Sequence, residues 1–221
     1  MLMRGKELDK LLIFKDMDSV FFEPWVGSEY NHSEERMFGK KILVLGESHY
    51  CGTGCQDCGV GKGCKNFTTD VVKSYLDPNV EREGWMNTYK KFERSLVNHQ
   101  TTPEESVMIW NSVMFYNYLQ VAMGGSRQAG TKKQYQDSEE AFFAVLDKFE
   151  PDLMIVWGNR LWRHLPWERW TEGEPLKVDS QIINNGYYQL ASGKKVKVIC
   201  VCHPSSGYSW DYWYKVISKE I

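Results

Sequence analysis

Residues 40–50 read KKILVLGESHY, and the fold turns on how this stretch is read. An apolar run, Ile42 to Leu45, passes directly into Gly46 and then into polar residues. A short unbroken run closed by glycine predicts a strand buried on both faces, as in a parallel sheet. In open parallel sheets, ligand-binding groups gather just beyond the carboxyl ends of the strands. Glu47, Ser48, His49 and Tyr50 are therefore expected to project into a cleft. Further out, the same pattern of apolar run and polar tip returns in VMIWN (to Asn111), LMIVWG (to Gly158) and VKVICVCHPSS (to Ser206). Four strand tips on one rim are the expected arrangement.

Helical patterns fall between these runs. Residues 4–18 carry Leu8, Leu11, Leu12, Ile13 and Met17 among charges, an amphipathic spacing. VVKSYLDP predicts a short helix, and Trp85, Tyr89, Phe92 and Leu96 form a core-facing stripe on a helix over 83–99. SVMFYNYLQ reads as the start of a helix after the second strand, and Asp137 or Ser138 caps another that runs to Phe149. A short helix follows at Asn159–Leu165. NNG and SGK mark a hairpin before the last strand, and SWDYWYKVISKEI closes the sequence as an aromatic-rich helix. Helices alternating with strands, with no composition break, predict one α/β domain over residues 1–221.

The apolar fraction of 42% is enough for a sizeable core and excludes a disordered chain. A net charge of −2 offers no basic field, so nucleic-acid contact requires a local patch. The opening residues are too charged for a signal peptide, and no apolar run reaches membrane-spanning length. The expected location is cytoplasmic, with no membrane partner. Thiols stay reduced there, so the Gly-rich stretch CGTGCQDCGVGKGC, at about 50–66, reads as a metal loop. Cys51, Cys55, Cys58 and Cys64 can converge on zinc or an iron–sulfur cluster, with His49 able to replace one thiol. Four protein ligands leave no open position, so the role is structural.

The expected cleft holds Glu47, Ser48, His49, Tyr50, Asn111, His203, Ser205 and Ser206. A carboxylate with a histidine suffices for general acid–base work. His203-Pro204-Ser205-Ser206 is a rigid turn whose hydroxyls and amides can grip a phosphate. Asn111 at a strand tip either reads a ligand's hydrogen-bonding edge or caps the next helix. No GxGxxG, GxxxxGK[ST] or GxSxG occurs, which leaves nucleotide-cofactor and serine-hydrolase readings without support.

The ordered set GESHY, WN, IVWG and HPSS resembles the uracil-DNA glycosylase superfamily over about residues 40–215. The resemblance implies a three-layer α/β/α sandwich around a four-stranded parallel sheet. It implies a DNA glycosylase hydrolysing the N-glycosidic bond of uracil or another damaged base, with DNA, single strands included, as partner. By position, Glu47 and His203 would be catalytic, His203 stabilising charge on the uracil oxygen. Tyr50 would wall the base pocket, Phe67 would stack on the base, Asn111 would read its edge, and Ser205 would bind a backbone phosphate. The sequence departs from the pattern at Ser48 and His49, where the uracil-specific branch has Asp and Pro, so its water-activating carboxylate is missing. Ser206-Gly207 replaces the Pro-Leu of the second motif, leaving Tyr208 as the only residue to serve as an apolar wedge. The Cys spacing also differs from that of the iron–sulfur branch. The alternative is an inactive member of the fold that binds single-stranded nucleic acid or nucleotides. A weaker third reading has the Cys loop and cleft serving a protein partner.

Overall fold

The computed structural model describes residues 17–52 and 63–221. Most of the expected N-terminal amphipathic helix, and Cys55 and Cys58 in the metal loop, lie outside the described residues.

The stretch that opens the reading is a strand, β2 (Ile42–Gly46), buried along its whole length. Its neighbours are β3 (Val113–Asn117) and β4 (Leu153–Trp157), both parallel to it, and β9 (Lys195–Val201) runs parallel to β4. The sheet does not stop at these four. It has seven strands in the order β1-β3-β2-β4-β9-β8-β5, which corrects the expected four-stranded parallel sheet. The additions, β1 (Trp25–Val26), β8 (Asn185–Gln189) and β5 (Trp170–Glu172), are all antiparallel. The sheet is therefore mixed. SGK turns β8 into β9, whereas NNG lies at the start of β8 and makes no turn. A separate hairpin pairs β6 (Leu176–Val178) with β7 (Gln181–Ile183).

The second strand lies later than its sequence suggests. VMIWN belongs to a helix, Pro103–Ser112, and the strand is the following VMFYN. The cause is local. Thr102 accepts from the Glu105 amide at 3.2 Å, and the Glu105 carboxylate accepts from the Thr102 amide at 2.8 Å. With Pro103 in the first turn this is a capping box, which starts a helix firmly. Val107 and Met108 then face solvent while Ile109 and Trp110 are buried, a helical pattern rather than an alternating one.

The helices, numbered in order, are α1 (Phe67–Leu76), α2 (Met86–Val97), α3 (Pro103–Ser112), α4 (Lys132–Asp137), α5 (Glu139–Phe149), α6 (Asn159–Trp162) and α7 (Trp210–Ile217). Alternate residues of the central strands feed two apolar clusters. Leu43, Leu45, Met114, Tyr116, Met154 and Val156 pack with Phe142, Val145 and Leu146 of α5. Ile42, Val44, Phe115, Ile155, Trp157 and Val201 pack with α1, α2, α3 and α7. The predicted stripe of α2 is core-facing, with Tyr89, Phe92 and Leu96 buried. No helix among the described residues is long and apolar enough to cross a membrane.

One buried charge ties three of these helices together. Glu93 of α2 is fully buried and accepts from Tyr75 of α1 (2.6 Å), Thr101 (2.6 Å), and Ser106 and Trp110 of α3 (both 2.8 Å). A buried carboxylate is tolerated when its lone pairs are met in this way. Glu93→Ala strands those donors and is expected to cost about 3–5 kcal/mol in urea unfolding, with Glu93→Gln milder because its amide oxygen still accepts. A loss below about 1 kcal/mol for Glu93→Ala would show that the hub contributes little.

Candidate functional site

The parallel strands end together, so their tips line one edge. Across it stand Asn117 at the end of β3, Gly46 and Glu47 at the end of β2, Gly158 after β4 and His203 after β9. Asn111 is not among them. It is the penultimate residue of α3, ahead of β3, and so belongs to the opposite, amino edge of the sheet. Its carbonyl accepts from the Glu29 amide at 2.8 Å, a structural bond. The capping box that converts VMIWN to helix moves Asn111 off the tip and leaves Asn117 there instead.

Glu47 is buried and held on both oxygens. Arg160 of α6 donates from Nε to Oε1 (2.8 Å) and Oε2 (2.9 Å) and from Nη2 to Oε2, and the Tyr135 hydroxyl of α4 donates to Oε1. This planar fork on a carboxylate is the geometry arginine makes best. The bonds from Glu47 push the Arg160 guanidinium further above its usual range, and burial followed by Glu47 does the same for the Tyr135 phenol. Both oxygens of the Glu47 carboxylate are thus engaged by Arg160 and Tyr135.

Beside it lies a slot for a flat ring, occupied by the chain's own His49. The imidazole stacks on Phe67 at 4.4 Å between centroids with the planes 9° apart, and Phe22 meets it edge-on at 4.9 Å. Asn117 Nδ2 lies 3.2 Å from the ring nitrogens, and Nε2 lies 2.9 Å from Thr68 Oγ1. Burial lowers the His49 pKa to about 3, so the ring is neutral. Thr68 pairs with Nε2 at the ring's rim, whereas Asn117 Nδ2, equidistant from both nitrogens, approaches the face of the ring. Glycine at 46 makes the slot possible, because a Cβ there would lie 2.2 Å from Asn117 Oδ1.

His203 closes the far end. Ser205 approaches its Nδ1 twice, through the amide at 3.2 Å and the hydroxyl at 2.8 Å. Nδ1 accepting from the amide leaves the proton on Nε2, which can donate to an acceptor in the cleft. Burial lowers the His203 pKa, with Glu47 opposing and Arg160 reinforcing the shift. Ser206 bonds the His203 carbonyl through both its amide (2.9 Å) and its hydroxyl (2.7 Å), so both serines brace the turn. Gly158, at φ +100°, lets the chain leave β4 towards α6, where any side chain would crowd His203 Cβ at 3.2 Å.

The remaining expected residues are scattered in role. Ser48 is half-buried, and its hydroxyl has no hydrogen-bond partner among the described residues. Tyr50 is exposed and pairs through its backbone with Met123. Cys51 and Cys64 are half-buried and bracket the loop whose other two cysteines are not described. Tyr208 does not serve as a wedge, because it is buried with its hydroxyl 2.7 Å from Ser95. Arg160, Tyr135, Asn117 and Thr68 were not singled out in the sequence. Arg160 follows a predicted strand tip by two positions and could have been found by that rule. Asn117 was hidden by the misplaced strand, and Tyr135 carries no local signal. Comparison with protein-family models found no match, and comparison with curated proteins found none either.

The site therefore offers a stacking face, an amide against the ring, an imidazole N–H donor and a pinned carboxylate. The contact between Gly46 and Asn117 can be tested directly. Gly46→Ala is expected to destabilise by about 1–3 kcal/mol through overpacking, and Asn117→Ala in the same chain to recover much of that loss. Strictly additive effects in a double-mutant cycle would show that the two do not touch.

Proposed function

We propose that the chain is a nucleobase-directed hydrolase that cleaves the N-glycosidic bond of uracil or another damaged base in DNA, on a three-layer sandwich of the uracil-DNA glycosylase kind. The observation that carries this reading is the ring slot. A flat nitrogen heterocycle lies on Phe67 with the Asn117 amide 3.2 Å from both of its ring nitrogens, on the sheet edge that also holds His203 and Glu47. A base taken out of a helix is held by stacking and by polar contacts to its ring. In the reaction the bond between C1′ and the base nitrogen breaks, and its electron pair passes to the base. Nε2–H of His203 would stabilise the charge growing on a base carbonyl oxygen, the kind of aid that is strongest where water is excluded. The Glu47 carboxylate would favour the cationic sugar, water adds as hydroxyl to C1′, and the proton it releases ends on the departed base.

A second reading has one observation in its favour. Arg160 and Tyr135 engage both oxygens of Glu47, which leaves no lone pair clearly available to align a water. On that reading the chain binds single-stranded DNA or nucleotides without cleaving them. Incubation with uracil-containing single- and double-stranded oligonucleotides separates the two. Cleavage leaves alkali-labile abasic sites, expected to fall by about 10²-fold or more in Glu47→Ala, His203→Ala and Asn117→Ala. Retarded DNA with no abasic sites would select the binder.

The Cys loop is proposed to hold a structural zinc ion or iron–sulfur cluster. Its thiols are the donors such groups take, and it runs directly into Phe67. Elemental analysis of purified protein is expected to find about one ion or cluster per chain, and chelation to lower thermal stability. A folded, metal-free chain with all of the loop's thiols titratable would remove this part.

A further inference from the structure

The ring slot is full, and its occupant is covalently part of the chain. Phe22 and Phe67 pack against the His49 ring, Asn117 and Thr68 meet its nitrogens, and almost none of it reaches solvent. The backbone on either side is pinned. The Glu47 carbonyl accepts from the Leu119 amide at 2.9 Å, the His49 carbonyl from the Met123 amide at 2.8 Å, and the Cys51 amide donates to the Met123 carbonyl at 2.8 Å. Emptying the slot therefore calls for rotation of one side chain and not for withdrawal of the strand tip. Every feature that holds His49 is one that a small nitrogen heterocycle would use: a π face, an amide and a hydroxyl.

We infer that His49 is a built-in competitor for this slot, so that a single-ring nitrogen heterocycle of the pyrimidine class enters against Phe67 only by displacing it. The choice of a nucleobase as incoming ring rests on the function proposed above. The competition itself rests only on the contacts of His49. A site whose open form is a minor population binds more weakly in proportion to that population. Removing the competitor should therefore strengthen binding without adding a contact.

The experiment uses the full chain with His49→Ala, and free uracil and imidazole as probes, read by ligand-observed NMR and by thermal shift. The variant is expected to bind both rings at least about tenfold more tightly than the wild type, the effect of unmasking a site open a tenth of the time or less. Adding Phe67→Ala should abolish the gain. A folded His49→Ala chain with unchanged affinity for both rings overturns the inference. Should His49→Ala not fold alone, millimolar imidazole restores its fold if the slot accepts a ring from solution, and failure to do so also overturns it. Strand cleavage plays no part in this readout. Tighter ring binding without any DNA cleavage keeps the inference and removes the glycosidase, and cleavage by wild type with no gain in the variant does the reverse.

Discussion

The register between β2 and β3 is the constraint from which the site follows. Ile42 lies opposite Val113 and Gly46 opposite Asn117, and β2 is fixed on its other side by Ile42 opposite Leu153. Side chains alternate between faces with a period of two, so a slip of one residue would send Leu43 and Leu45 to the cluster that holds Ile42 and Val44. Both faces of this sheet are apolar and filled, so hydrophobicity alone resists such a slip only weakly. The shapes do more. Asn117 lies over the one position in β2 that has no side chain, where a Cβ would come within 2.2 Å of its amide oxygen. Packing at the strand tips and composition of the slot are thus the same fact.

Two buried carboxylates show how differently such a group can be settled. Glu93 accepts from neutral donors of α1, α3 and the turn between α2 and α3, with the Lys90 ammonium 3.9 Å away, and it holds those elements together. Glu47 is paired with a full positive charge and a phenol at an open edge, where Arg160 keeps 40% of its side-chain area in water. The first arrangement is met by four hydrogen-bond donors and is closed to solvent. The second keeps a charge, its counter-charge and a nearby imidazole in one cleft, close enough that Glu47 and Arg160 pull the His203 pKa in opposite directions. Opposed charges around a histidine make a polar site with little net field, in keeping with the near-neutral charge of the whole chain.

The legible parts of the fold were those with a single strong signal. Ile42–Gly46 and Leu153–Trp157 announced themselves by unbroken apolar runs, and α2 by its aromatic stripe. The error came where two signals competed. Val107–Trp110 is as apolar as a buried strand, but Thr102-Pro103-Glu104-Glu105 ahead of it begins a helix, and the cap prevails because it satisfies amides the strand reading ignores. That one misplacement carried Asn111 into the expected site and kept Asn117 out. Antiparallel β1 and β5 were missed for another reason: they are short edge strands, and such strands need no continuous apolar run. Tyr135 and Thr68 reach the site from elements whose placement only tertiary packing decides.

His49 marks the limit of reading by position. Placed at a strand tip, a histidine invites a catalytic or metal-binding role, yet its environment makes either one costly. A ring stacked face to face, paired with Thr68 and held neutral by burial has no proton to exchange near neutral pH. The same features give His203 the opposite character, because Ser205 claims only one of its nitrogens and the ring stays half-buried at the cleft. Two histidines on one edge thus differ in character, one filling the slot and the other keeping a donor free. Which of them touches a ligand is decided by the partners of each nitrogen, and those partners come from strands and helices remote in sequence.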